Sequence, residues 1–153
     1  AAHDPSTAKS RSGYVITFGS CPILWTSKLQ TQIALSSCEA EYISLSQSLR
    51  EAIPLMRLLQ ELKDRGFAGN YIKPKVKCKA FEDNTGALAL ATTHKMRPRT
   101  KHINLVYHHF REAVRDGIIE VISVGTKDQI GDMFTKPLPQ NDFVKFRKLL
   151  MGW

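Results

Sequence analysis

Gly13–Ser27 reads GYVITFGSCPILWTS. Its two runs, GYVITFG (Gly13–Gly19) and PILWTS (Pro22–Ser27), are rich in β-branched and aromatic residues, which suit the pleated surface of a sheet. The short Gly19-Ser20-Cys21 link suits a hairpin, so two antiparallel strands are predicted. Upstream, residues 1–11 are polar, contain Pro5 and show no periodicity, which reads as a flexible lead-in. Downstream, a long helix is predicted over Ser37–Asp64, because Leu45, Leu49, Ala52, Leu55, Met56, Leu59 and Leu62 fall on one stripe. Pro54 lies inside it and is expected to kink it. In KVKCKAFE (Lys75–Glu82), Val76, Cys78 and Ala80 alternate with Lys75, Lys77 and Lys79, the pattern of a strand. Asn84–Ala91 reads as a short helix and Ile103–Arg115 as another, ending at Asp116-Gly117. A strand over Ile118–Val124 follows, then a short helix from Thr126 broken by Pro137 and Pro139, and a basic amphipathic helix over Phe143–Met151. The order ββαβααβαα predicts one mixed α/β domain over residues 12–138, with a C-terminal helical extension over 139–153.

The 153 residues suit one compact domain, and 42% hydrophobic with 24% charged residues is ordinary for a globular chain. No apolar run approaches the roughly 18 residues of a membrane span, and the start lacks a signal-peptide core, so an intracellular setting is expected. The three cysteines, Cys21, Cys38 and Cys78, lack the close pairing of zinc or redox motifs and read as reduced, mostly buried thiols. The net charge of +8 points toward a polyanionic partner, nucleic acid first.

Acidic residues stand at three places where such a sheet focuses chemistry. Asp83 ends a strand and precedes a helix, either as a ligand at the carboxyl edge of the sheet or as a helix cap. In Ser36-Ser37-Cys38-Glu39-Ala40-Glu41, Ser36-x-x-Glu39 fits a capping box. At about 100° per residue, Glu41 falls near the Leu45, Ala52 and Leu59 stripe, and Glu39 points roughly the other way. A carboxylate on the sheet-facing side needs a positive partner such as a metal ion, although complementing the helix dipole would also explain it. Thr126-x-x-Gln129 resembles a second capping box, with Asp128 in its first turn and Asp132 one turn later. Either could be a ligand. Asp132 is favoured, because the dipole already accounts for Asp128. Magnesium takes hard oxygen ligands, and paired ions can hold both the attacking water and the leaving oxygen of a phosphodiester.

Other chemistries lack their signatures: no Gly-rich phosphate loop, no HExxH and no G-x-S-x-G occurs. His94, His102, His108 and His109 read as a helix surface facing solvent or phosphate. Lys95, Arg97, Arg99 and Lys101 form a basic run suited to nucleic-acid phosphates, or simply a solvated loop.

SRSGYV (Ser10–Val15), ILWTSKLQ (Ile23–Gln30), LSSCEAEYISL (Leu35–Leu45), FEDNTGALALA (Phe81–Ala91), RTKHINLVYHHFRE (Arg99–Glu112) and TKDQIGDMFTKPL (Thr126–Leu138) occur in order. Together they resemble the ribonuclease H domain that ends copia-type retrotransposon Pol polyproteins, over nearly the whole chain from Ser10. The resemblance implies a ribonuclease H-like fold, a five-stranded sheet whose first three strands are antiparallel, with helices on both faces. It implies hydrolysis of the RNA strand of RNA–DNA hybrids with two magnesium ions, or manganese, held by four carboxylates. Glu41 matches the second of these, Asp83 the third, and Asp132 the fourth, where Ile-Gly-Asp stands for the family's Leu-Ala-Asp. The implied partners are the hybrid and a reverse transcriptase domain upstream in the same polyprotein, with no membrane, in the cytoplasm within a virus-like particle or in the nucleus.

Two departures accompany the resemblance. The family's first carboxylate lies in a strand resembling Asp-x-Asp-x-Ala-Gly, and this chain is expected to start after it, with its first strand missing. Asp4 is no substitute, since Pro5 follows it and no apolar strand surrounds it. Ser123–Lys127 also lacks the loop His of cellular and retroviral relatives, and Lys127 is the nearest replacement. An inert nucleic-acid-binding remnant is therefore the alternative to an active enzyme. An integrase-like relative would need a late helical Glu, and none occurs after Glu120.

Overall fold

The computed structural model describes residues 2–3, 8–67, 76–93 and 105–153. Within them, strands β1 (Ala2–His3), β2 (Ser10–Phe18) and β3 (Cys21–Leu29) form an antiparallel sheet in that order. The reversal after β2 falls at Gly19, whose φ of +62° is open to glycine without strain. Helix α1 (Ser37–Asp64) leads to β4 (Cys78–Glu82), which pairs in parallel with β5 (Ile119–Ser123). Between those strands lie α2 (Thr85–Thr92) and α3 (Arg111–Arg115), and α4 (Gln140–Met151) closes the chain. This is a mixed α/β arrangement, as predicted. Its strands form sheets of three and two, where the resemblance implies one continuous sheet.

The core forms where α1 turns Tyr42, Ile43, Leu45, Leu49 and Ala52 onto Ala87 and Ala91 of α2, Phe110 and Ile119. Arg111 fastens α3 to the end of α2, donating to the carbonyls of Leu90 (2.7 Å) and Thr93 (2.7 Å). α4 buries Phe146 and Leu150 and packs on β3 and on a 3-10 turn over Ile130–Phe134. β3 leaves Trp25 62% exposed. No helix among the described residues is long and apolar enough to cross a membrane.

Several elements differ from expectation for identifiable reasons. β2 begins at Ser10 rather than Gly13, and Ala2–His3 pair with Ser10–Arg11 inside the expected lead-in. The sequence hides this because Ser10 and Ser12 are polar yet buried; Gln30 Nε2 satisfies the Ser12 hydroxyl at 3.0 Å and the Ala40 carbonyl at 2.9 Å. α1, by contrast, has the expected bounds, Ser37–Asp64, with Pro54 inside it. The helix expected to end at Arg115 is, in its described part, a 3-10 turn over Leu105–His108 and then α3, with the break inserting Phe110, fully buried, into the core. The helix expected from Thr126 is two 3-10 turns, Thr126–Asp128 and Ile130–Phe134. Cys21 is exposed; Cys38 and Cys78 are partly buried, and burial raises both thiols, which keeps them protonated.

Candidate active site

β2 and β4 flank a cavity of about 540 Å³ that is floored by α1. Leu45, Leu49, Met56 and Leu59 give it an apolar base, and Glu41, Glu82 and Asp132 enter its wall from α1, β4 and the Ile130–Phe134 turn. Two of the three carboxylates singled out in the sequence, Glu41 and Asp132, are thus brought to one space from positions far apart in the chain.

Local capping places the first. Ser36 is the N-cap of α1, its hydroxyl accepting the Glu39 N–H at 3.1 Å. The Glu39 carboxylate accepts the Leu35 N–H at 2.8 Å, one residue before the position of an ordinary capping box. This contact folds Glu39 back against the chain and leaves it 8% exposed, so it is buried as a cap and not turned outward as its helical angle suggested. Glu41, two residues on, lies partly buried at the cavity.

Asp132 is 9% exposed, and Lys136 one helical turn later sets its Nζ 2.7 Å from Oδ2. The ammonium supplies the positive partner that a buried carboxylate requires. Asp128 instead pairs at the surface with Lys145 at 2.7 Å. The capping box read at Thr126 is absent: Gln129 caps the following turn, accepting from the Gly131 N–H at 3.3 Å and donating to the Phe81 carbonyl at 3.0 Å. Lys145 also donates to the carbonyl of Lys127 at 3.1 Å.

Asp83 follows β4 and is partly buried outside the cavity lining, which Glu82 occupies. The capping alternative for Asp83 fails, since Asn84 caps α2 by accepting from the Gly86 and Ala87 N–H groups, both at 3.0 Å. The basic run Lys95, Arg97, Arg99 and Lys101 lies outside the described residues, as do His94 and His102. His108 faces α1 and not solvent, its Nδ1 lying 2.6 Å from the Tyr42 hydroxyl. Burial pushes that phenol up to about 12.

Glu82 is the site residue that sequence reading passed over. It is 5% exposed, and burial, with Asp83 adding repulsion, pushes its carboxyl up to about 7 despite the Asn84 N–H donated to it. The strand alternation already held the signal, because Glu82 continues the Val76, Cys78 and Ala80 face. Since its folded pKa lies above the ordinary 4.5, the folded chain holds a proton that the unfolded chain releases. Stability therefore falls as pH rises through that window, and the cost is complete above it. Glu82→Gln is expected to flatten this dependence and to raise stability near pH 8 by at most about 3 kcal/mol. Urea unfolding at about pH 5 and about pH 8 checks it, and an unchanged difference between the two would refute the assignment.

Among the described residues no three His, Cys, Asp or Glu side chains form a ready metal-holding group. The donors present are nevertheless hard oxygens, and magnesium is commonly held by one or two carboxylates, with water and substrate phosphate completing its shell. Glu41 and Asp132 fit that requirement at one cavity.

The chain matches known proteins over nearly its whole length. It is 38% identical over 149 residues to the retrovirus-related Pol polyprotein from transposon TNT 1-94 of Nicotiana tabacum, covering 97% of this chain and 10% of that protein. Two Arabidopsis thaliana Pol polyproteins, from transposons RE1 and RE2, are each 37% identical over 95% and 96% of this chain, and 9% and 10% of their own lengths. Nearly the whole chain is thus similar to one stretch of the Pol polyproteins of plant copia-type retrotransposons. The chain spans about a tenth of the length of these relatives. No family model and no solved structure matches.

Proposed function

We propose that the chain is a ribonuclease H domain of a retrotransposon Pol polyprotein, hydrolysing the RNA strand of RNA–DNA hybrids during reverse transcription. The observation that carries this reading is the meeting of Glu41 and Asp132, from α1 and the Ile130–Phe134 turn, at one cavity beside the carboxyl end of β4. Glu41 and Asp132 at the cavity, with Asp83 just outside its lining as the third ligand that the resemblance implies, are the residues that would hold two magnesium ions, or manganese, which would supply charge neutralisation and an activated water when bound. Lys136, with its Nζ 2.7 Å from Asp132 Oδ2, orients that carboxylate. The partner domain would be the reverse transcriptase of the same polyprotein, acting in a cytoplasmic particle or in the nucleus.

The test is cleavage of a labelled hybrid with magnesium by the chain extended upstream through an Asp-bearing strand, beside residues 1–153 alone and an Asp83→Asn variant. Cleavage by the extended protein only, lost with Asp83→Asn, is the expected result. Robust Asp83-dependent cleavage by residues 1–153 would show that the upstream strand is dispensable; none by either protein would leave the inert binding remnant.

Hybrid binding should also be salt-sensitive, because Lys and Arg contacts to phosphate release counterions. With the basic run Lys95, Arg97, Arg99 and Lys101 engaged, four contacts, the slope of log affinity against log salt should be about −3.6. A flat titration between low and moderate salt would remove nucleic acid as the partner.

A further inference from the structure

β3 is the free end of its sheet. The strand order is β1-β2-β3, and among the described strands β3 pairs only with β2. An edge of this kind carries a row of backbone donors and acceptors that another extended strand can match in register. The ladder indicates which ones they are. Gln30 N–H donates to the Ser10 carbonyl at 2.8 Å, so Gln30 turns its polar groups to β2, and by antiparallel alternation Lys28, Thr26 and Leu24 do the same. Leu29, Ser27 and Trp25 therefore turn theirs outward. Trp25 and Ser27 are exposed and Leu29 is half-buried, which leaves this stretch open to solvent.

The same strand is blocked toward the hairpin tip. Its register with β2 passes from Ile16 opposite Leu24 to Thr17 opposite Pro22, which leaves Ile23 as a bulge, and Pro22 has no N–H to donate. Both devices spoil an edge for pairing, so the usable run is Trp25–Leu29, with Ser27 at its middle. A second copy of this run, laid antiparallel with Ser27 opposite Ser27, matches every outward group, Trp25 to Leu29, Ser27 to Ser27 and Leu29 to Trp25. Two-fold symmetry makes such an edge self-complementary. Trp25, Ser27 and Leu29 also share one sheet face, since they lie opposite Val15, Gly13 and Arg11. Pairing therefore sets each indole, 62% exposed in the single copy, against Leu29 of the other copy. On the opposite face Lys28 falls against Thr26 and not against another lysine, so the ladder brings no like charges together.

We propose that β3 is a self-association edge, through which two copies of this chain pair antiparallel over Trp25–Leu29 about a two-fold axis at Ser27, joining their three-stranded sheets into one. A single strand ladder is small beside the roughly 1,600 Å² of a standard protein interface, so the dimer is weak and forms reversibly with concentration. Each copy carries a net charge of +8, so the copies repel at long range and added salt strengthens the pairing. A polyanion bridging two copies would give the opposite dependence. This inference does not rest on the ribonuclease reading.

The experiment combines sedimentation of residues 1–153 over a range of concentrations with disulfide cross-linking. A monomer–dimer equilibrium favoured by salt is expected, with a blue shift of tryptophan emission as the dimer forms. Ser27→Pro removes an N–H that faces away from β2, so the fold should persist by circular dichroism, while the dimer dissociation constant rises by at least about tenfold as both central hydrogen bonds are lost. Trp25→Lys, at an exposed position, should weaken the dimer similarly, and it decides the matter if the proline variant does not fold. The register is read with Thr26→Cys and Lys28→Cys, each made with the exposed Cys21 changed to Ser. Thr26 of one copy and Lys28 of the other form a non-hydrogen-bonded pair, close enough for a disulfide. Mild oxidation should link these two variants when they are mixed, and neither one by itself. A chain that stays monomeric at every concentration, an affinity unchanged in the folded variants, a dimer that weakens with salt, or cross-linking of either cysteine variant alone would each overturn the proposal.

Discussion

In the upstream-extended chain, Glu41→Gln is expected to lower magnesium-dependent hybrid cleavage by about a hundredfold or more, the scale on which even outer-shell metal partners matter. Glu39→Gln should leave turnover intact and cost about 1 kcal/mol of stability. The two residues lie in the same turn of α1 and differ in what holds them. Glu39 is tied to the Leu35 N–H at 2.8 Å and is buried as a cap, whereas Glu41 lines the cavity that also receives Asp132. Substituting an amide at Glu39 keeps an acceptor for Leu35 and loses the favourable charge at the helix N-terminus. At Glu41 it removes a hard anionic oxygen from the cavity while preserving shape. Cleavage rates and urea unfolding of both variants provide the check. Loss of turnover in a folded Glu39→Gln protein, with Glu41→Gln active, would reverse the assignment.

Gly13→Val should be the most destabilising single change in the hairpin, by about 3 to 5 kcal/mol. A Cβ built there meets the Phe134 carbonyl carbon at 2.6 Å, Thr135 Cγ2 at 2.6 Å and Phe134 Cβ at 2.8 Å. Phe134 presents backbone, which cannot rotate aside, so either β2 or the Ile130–Phe134 turn must move. That turn carries Asp132, so the clash reaches the site as well as the core. Thermal or urea unfolding of Gly13→Val measures the loss, and Gly117→Val is the comparison, since nothing lies within 4 Å of Gly117 although its φ is +68°. A Gly13→Val protein as stable as the parent would mean that β2 and the turn do not touch as described.

Much of the architecture is legible in local periodicity. The hairpin, α1 and the β4 alternation each carry a pattern that one segment sets by itself. What stayed hidden depends on contacts between distant segments. Ser10 and Ser12 look like loop residues until Gln30 satisfies Ser12 inside the fold. Phe110 looks like one more helical position until the core draws it in and ends the turn. For the site, helical angle alone selected Glu41, and the turn chemistry selected Asp132 over Asp128, which the structure pairs with Lys145 at the surface. Angle alone misjudged Glu39, because a capping carboxylate bends back along the chain and ignores the face of the helix it starts from. Glu82 went unread because alternation was followed to Ala80 and not one step further.

The chain's two tryptophans both stand in water. Trp25 on β3 is 62% exposed, and Trp153 is 68% exposed beneath the Arg147 guanidinium at 5.3 Å. Their indole emission in the native protein therefore already has the red-shifted maximum of a hydrated ring, and unfolding adds little water to either. A fluorescence melt of this protein would be nearly silent while the core around Tyr42 and Phe110 came apart. The same exposure makes Trp25 a reporter of whatever settles on the outer face of the hairpin, with quenching or a blue shift on contact.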